Sequence, residues 1–190
     1  MELKESLVKE LNDALVEICS SVISVVPIVS EKEFQHGAVD SKVLVASIGM
    51  AGKLEGSLVL IFNNIVACKV VSKMLSMELA DLCQDVMDGI GEVANILAGG
   101  LKTRMSPIGY AFDISIPTVI QGTEPLNVVR LGKTDVIALH VEFEEYSFDT
   151  ILSYSIGSGG RGSQSQQGKK AEDASSALEA MLGGGDTKQA

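Results

Sequence analysis

Two polar side chains in this sequence stand at a spacing that can do chemistry. They are the carboxylate of Glu92 and the carboxamide of Asn95, inside the run Asp81–Met105. Wound as a helix at about 100° per residue, that run sets Asp88, Glu92, Asn95, Gly99 and Lys102 along one stripe. A carboxamide presents an acceptor oxygen and an NH2 donor, so it can hold a water molecule without titrating. A solvated helix face normally carries long charged residues and few glycines. Here Gly89, Gly91, Gly99 and Gly100 share one helix, which costs it about 4 kcal/mol of propensity relative to alanine. Close approach of another backbone is the simplest compensation.

The elements that position the stripe are legible around it. Val86, Ile90, Val93, Leu97 and Leu101 fall on the opposite side, at the spacing a core-facing stripe needs. Asp81 is a plausible cap at the start. Ser106-Pro107 ends the helix, because the residue before proline disfavours the helical region. Twenty-one residues separate Asn95 from Pro117. Pro117 lies in the run Phe112–Gln121, where Phe112, Ile114 and Ile116 alternate with Asp113, Ser115 and Pro117. A proline inside such a run marks a strand edge or a bulge, which leaves room beside the preceding helix.

The order Asp88-x3-Glu92-x2-Asn95, the run Asn95-Ile-Leu-Ala-Gly99 and the distant Pro117 resemble the signature of the CheC/CheX/FliY phosphatases of bacterial chemotaxis. One motif is present rather than two, which points to the CheX-like branch. The resemblance spans about residues 1–156 and implies hydrolysis of the aspartyl phosphate of a CheY-like receiver domain. The receiver would bring Mg2+ and its own acidic pocket, so the phosphatase needs no cofactor of its own and contributes positioning and electrostatics. By that resemblance Asn95 holds the attacking water and Glu92 pairs with a lysine near the phosphorylation site. Gly99 lets the partner's backbone come close, and Asp88 supports, by orienting Asn95 or meeting the partner's rim. Lys102 is a further candidate contact, and Pro117 shapes the strand beside the helix. The alternative reading is a non-catalytic adaptor of the same fold, binding a receiver or a flagellar-switch component. Retention of both Glu92 and Asn95 favours the enzyme.

Composition excludes other classes. The net charge of −10 argues against nucleic acid or an anionic membrane, whose phosphates need clustered Lys and Arg. Hydrophobic content is 46% but aromatics are only 4%, with no Trp, so the interior should be aliphatic. Cys19, Cys68 and Cys83 are odd in number and form no CxxC, as expected of reduced thiols, and no metal-site spacing appears. The start MELKES lacks a basic signal-peptide region, and no apolar run approaches the ~20 residues that span a bilayer. A soluble, cytoplasmic protein is expected. His36, His140, Ser20-Ser21 and Ser175-Ser176 carry no partner motif.

Residues 2–22 read as an amphipathic helix, ended by Pro27. A polar connection covers Glu31 to Ser41. Lys42–Ile48 and Leu54–Phe62 read as a hairpin about the turn Gly49-Met-Ala-Gly52, and Asn63 or Asn64 caps a helix through Leu75. Asn127–Leu131, Asp135–Tyr146 and Phe148–Ile156 complete the strands. The sum is an α/β or α+β fold, with helices covering one mainly antiparallel sheet of about six strands. Residues 1–156 form the phosphatase-like domain. Residues 157–170 form a flexible Gly/Ser/Gln linker, and residues 171–190 a tail with a short amphipathic helix at 171–182. A homodimer is expected from the single motif and from long apolar final strands that would otherwise expose a sheet edge.

Overall fold

The computed structural model describes residues 2–34, 37–39, 42–122, 126–128 and 134–157, all within one compact unit. The linker from residue 158, the 171–182 helix and His36 lie outside the described residues.

Among the described residues three helices line one face of a seven-stranded sheet. Helix α1 (Leu3–Val22) buries Leu7, Leu11, Leu15 and Ile18, the face its periodicity assigns. Helix α2 (Asn64–Leu75) starts as expected, with Asn63 Oδ1 accepting the Val66 N–H at 2.8 Å. Helix α3 (Gln84–Met105) buries all of Val86, Ile90, Val93, Leu97 and Leu101. Its N-cap is Cys83, without a side-chain cap, and not Asp81. The Cys83 carbonyl accepts the N–H groups of Val86 and Met87, which fixes the first turn by backbone alone.

The strands are β1 (Ile28–Lys32), β2 (Gly37–Val39), β3 (Val43–Gly52), β4 (Leu54–Asn63), β5 (Phe112–Ile114), β6 (Thr118–Gly122), β7 (Leu126–Val128), β8 (Asp135–Phe143) and β9 (Tyr146–Ile156). The sheet runs β1-β8-β9-β4-β3, with β5 and β6 sharing the far side of β3, and every pairing is antiparallel. Strands β2 and β7 pair separately. Alternation sorts the side chains: Leu44, Ala46 and Ile48 face the helices, whereas Val43 and Val45 join Ile61, Ala138 and Ile151 in a second cluster.

Several sequence expectations change. β1 and β2 occupy part of the expected polar connection. β1 is an edge strand with mostly exposed side chains, so no apolar alternation marks it, and it is held by its register on β8. The hairpin turn is not Gly49–Gly52, because β3 continues to Gly52 and the chain reverses at Lys53. The final strands are not an edge: β9 is paired on both sides and β8 is covered by β1. His140 is satisfied, with Nδ1 2.7 Å from Asp149 Oδ1. No described helix is long and apolar enough to cross a membrane.

The glycines of α3 have separate reasons. A Cβ on Gly89 would stand 2.6 Å from Cγ1 and 2.8 Å from Cγ2 of Val71 on α2, so the absent side chain permits helix packing inside the core. A Cβ on Gly99 would meet nothing within 4 Å beyond its own helix backbone among the described residues. Opposite effects on stability follow. Val71 is fully buried and stiff at χ1, so Gly89→Ala should destabilise by about 1–3 kcal/mol. Gly99→Ala should stabilise by about 0.5–1 kcal/mol, since only propensity changes. Denaturant midpoints of the two variants check this; a shift of the same sign in both would be the contrary result.

Candidate functional site

The burial of one side of α3 decides what the other side presents. Asp88 and Glu92 are exposed, whereas Asn95, Gly99 and Lys102 are half-buried on the same face. Among the described residues neither Glu92 nor Asn95 has a hydrogen-bond partner for its side chain. Asp88 is engaged: its Oδ1 accepts from Gln84 Nε2 at 2.8 Å, one turn back, and it does not bond Asn95. Lys102 is engaged too, with Nζ 2.8 Å from Asp113 Oδ1 on β5, which ties the end of the helix to the sheet edge. The ammonium beside Asp113 holds its carboxyl below the usual carboxylate range.

Pro117 stands against the helix at Gly91. A Cβ there would lie 3.7 Å from Pro117 Cγ and 3.4 Å from Val119 Cγ2, so a larger residue would crowd the β6 wall. Between helix and strand runs an open groove of ≈ 370 Å³, lined by Gln84, Met87, Asp88, Gly91, Glu92, Pro117 and Val119. The structure thus brings Asp88, Glu92 and Pro117 together, while Asn95, Gly99 and Lys102 continue along the face beyond the groove. A larger depression of ≈ 540 Å³ lies beside α2, with no residue of α3 in its lining.

Pro117 reaches this position through a β-bulge. Ile114 pairs with Met50 and Thr118 with Ser47, so four steps of this edge oppose three of β3. The Ser115 N–H donates to Gly49 O at 2.9 Å, leaving Ile116 and Pro117 together opposite Ile48. The extra residue reverses the phase. Pro117 and Val119 turn to the helix side, and Ile116 leaves the Phe112–Ile114 face on which simple alternation put it.

Two supporting residues escaped the sequence reading. Gln84 could have been found from its i, i+4 spacing to Asp88. Asp113 had no local signal, since its partner Lys102 comes from another element. Among the described residues no group of three or more His, Cys, Asp or Glu is placed to hold a metal ion. Cys19 and Cys68 are buried and Cys83 exposed; burial pushes the Cys19 thiol up to about 11. What the face offers is an unpaired carboxylate and an unpaired carboxamide, one turn apart on a rotationally fixed helix. Such a pair can position water and meet a cation.

Residues 44–142 match the family model described as chemotaxis phosphatase CheX. The CheY-P phosphatase CheX of Thermotoga maritima is 37% identical over 115 residues, which cover 60% of this chain and 73% of that protein. Among solved structures, a CheC-like superfamily protein from Shewanella sp. PV-4 superposes with a TM-score of 0.69 at 21% identity, covering 82% of this chain and 99% of the other. The CheX–CheY–BeF3–Mg2+ complex from Borrelia burgdorferi gives a TM-score of 0.65 at 22% identity, over 78% of this chain and 97% of that one. These two share the fold. The family match spans more than half of the sequence and contains Glu92, Asn95 and Pro117, so the chain belongs to the chemotaxis phosphatase CheX family.

Proposed function

We propose that this protein hydrolyses the aspartyl phosphate of a CheY-like receiver domain in the cytoplasm, ending a chemotaxis or related two-component signal. The observation that carries the reading is Glu92 and Asn95, without a side-chain partner among the described residues, on one face of a helix whose other face is locked into the core. In the reaction, water attacks phosphorus in line, the P–O bond to the receiver's aspartate breaks, and inorganic phosphate leaves. Mg2+ belongs to the receiver and offsets the charge on the phosphoryl oxygens. The carboxamide of Asn95 holds the water on the line of attack. Glu92 takes a lysine of the receiver and fixes the helix in register. Gly99, with open space above it, admits the partner's backbone, while Asp88 and Lys102, each held by an internal partner, keep the face in shape.

We further read the protein as a homodimer in which each subunit keeps its own site. Support comes from the single motif and from β1, an edge of the sheet among the described residues, where Ile28 and the preceding Val26 are 68% and 83% exposed. Residues 1–156 form the phosphatase domain. Residues 157–170 link it to 171–190, a tether that captures the receiver and raises its local concentration at α3, to about millimolar by effective-concentration arithmetic.

Four experiments test these readings. Asn95→Ala should lower kcat by about 100-fold or more with little change in KM, since water positioning acts in the transition state. Glu92→Ala should weaken the complex by roughly 2–5 kcal/mol and slow turnover, because it strands the partner's lysine. Neither side chain enters the core, so both thermal midpoints should hold. Near-normal turnover in Asn95→Ala would give the site to the adaptor reading. Light scattering should report twice the subunit mass at micromolar concentration; a monomer would end the dimer reading. Deleting residues 159–190 should leave the thermal midpoint unchanged and raise the apparent KM for phosphorylated receiver, and an unchanged KM would dismiss the tether.

A further inference from the structure

We propose that Ile116 is an apolar anchor for the receiver domain, seated on the partner while Glu92 and Asn95 engage the phosphorylation site. The proposal rests on the phosphatase reading and adds a residue to its interface. Ile116 is 85% exposed. A single exposed aliphatic is ordinary; the way this one is held is not. On its N-terminal side Ser115 is tied to β3 twice, its N–H donating to Gly49 O and its Oγ accepting the Gly49 N–H, each at 2.9 Å. The same Oγ donates to the Ile116 carbonyl at 2.9 Å. On its C-terminal side Pro117 restricts Ile116 to extended backbone and packs against Gly91. Without the bulge Ile116 would continue the helix-facing side of Ile114 and be covered. The bulge turns Pro117 inward in its place and leaves the isoleucine projecting from a rigid rim. Little backbone freedom remains to be lost on binding, which favours affinity.

The occupant follows from position and size. Ile116 adjoins Pro117, which lines the groove with Asp88 and Glu92. A domain that seats a lysine at Glu92 covers on the order of 800 Å² of this surface, far more than the groove mouth, and so spans its rim. The apolar residues of the groove itself, Met87, Pro117 and Val119, are each partly buried already; Asp88 and Lys102 are already partnered, and exposed charge pairs add little affinity. A desolvated aliphatic supplies what they do not.

The test compares Ile116→Ser and Ile116→Leu in the full chain. Two readouts are taken: Kd for a CheY-type receiver held in its BeF3–Mg2+ form, and the kcat and KM of dephosphorylation. Ile116→Ser should raise Kd and KM together by about tenfold or more, the equivalent of one aliphatic side chain left in water. Its kcat and thermal midpoint should stay near those of the parent, and Ile116→Leu should restore binding. An unchanged Kd in Ile116→Ser overturns the anchor. So does loss of self-association at unchanged Kd, which would assign the rim to a second copy of the chain. If the parent protein binds the receiver without hydrolysing its phosphate, the phosphatase reading fails while Kd still judges the anchor. If the parent binds no receiver, both fail.

Discussion

Everything at the site depends on the burial of one side of α3. Val86, Ile90, Val93, Leu97 and Leu101 are all 4% exposed or less, and at about 1.5–3 kcal/mol each their burial outweighs the helix propensity lost to glycine. A turn of 100° about the helix axis would bring those five side chains toward water, so the rotational angle of the helix is fixed. Because side chains on a helix are arranged by that angle, fixing it also fixes where Glu92 and Asn95 point. Gly89 strengthens the constraint by letting Val71 of α2 come closer than any Cβ would allow. A phosphatase that acts by holding water and a partner in place gains directly from such rigidity.

The second wall of the groove is built at the opposite extreme of the sheet. β5 and β6 are short, share the outer side of β3, and are joined by a bulge. A continuous strand there would turn Ile116 toward the helix and Pro117 away from it. The bulge re-aims one residue into the groove and one out of it, using a single extra residue. Proline suits the position because it needs no ladder hydrogen bond at an edge. The Lys102–Asp113 pair then joins the last turn of the helix to the same edge. Helix and edge strand thus form one rim, open on the side where, among the described residues, no further strand of the sheet follows.

The sequence by itself determined the elements whose signal is local. Period-3.6 burial marked α1 and α3, Asn63 marked the start of α2, and clean alternation marked β9. The placing of Asp88, Glu92 and Asn95 on one face of α3, and of Pro117 at an edge or bulge, was legible for the same reason, since spacing along one helix and one proline in a strand are both readable in one dimension. Tertiary structure decided the rest. β1 has mostly exposed side chains and becomes a strand only through β8, so it carries no pattern of its own. The seventh strand and the interior place of β8 and β9 depend on which strands pair, a choice made by contacts between residues far apart in the chain. Gly89 and Gly91 look alike in sequence, yet one admits Val71 and the other faces Pro117 and Val119. The phase of Ile116 reversed because register on β3, not alternation within the strand, sets which face a residue takes. Periodicity fixes what a segment can bury; only pairing fixes what it meets.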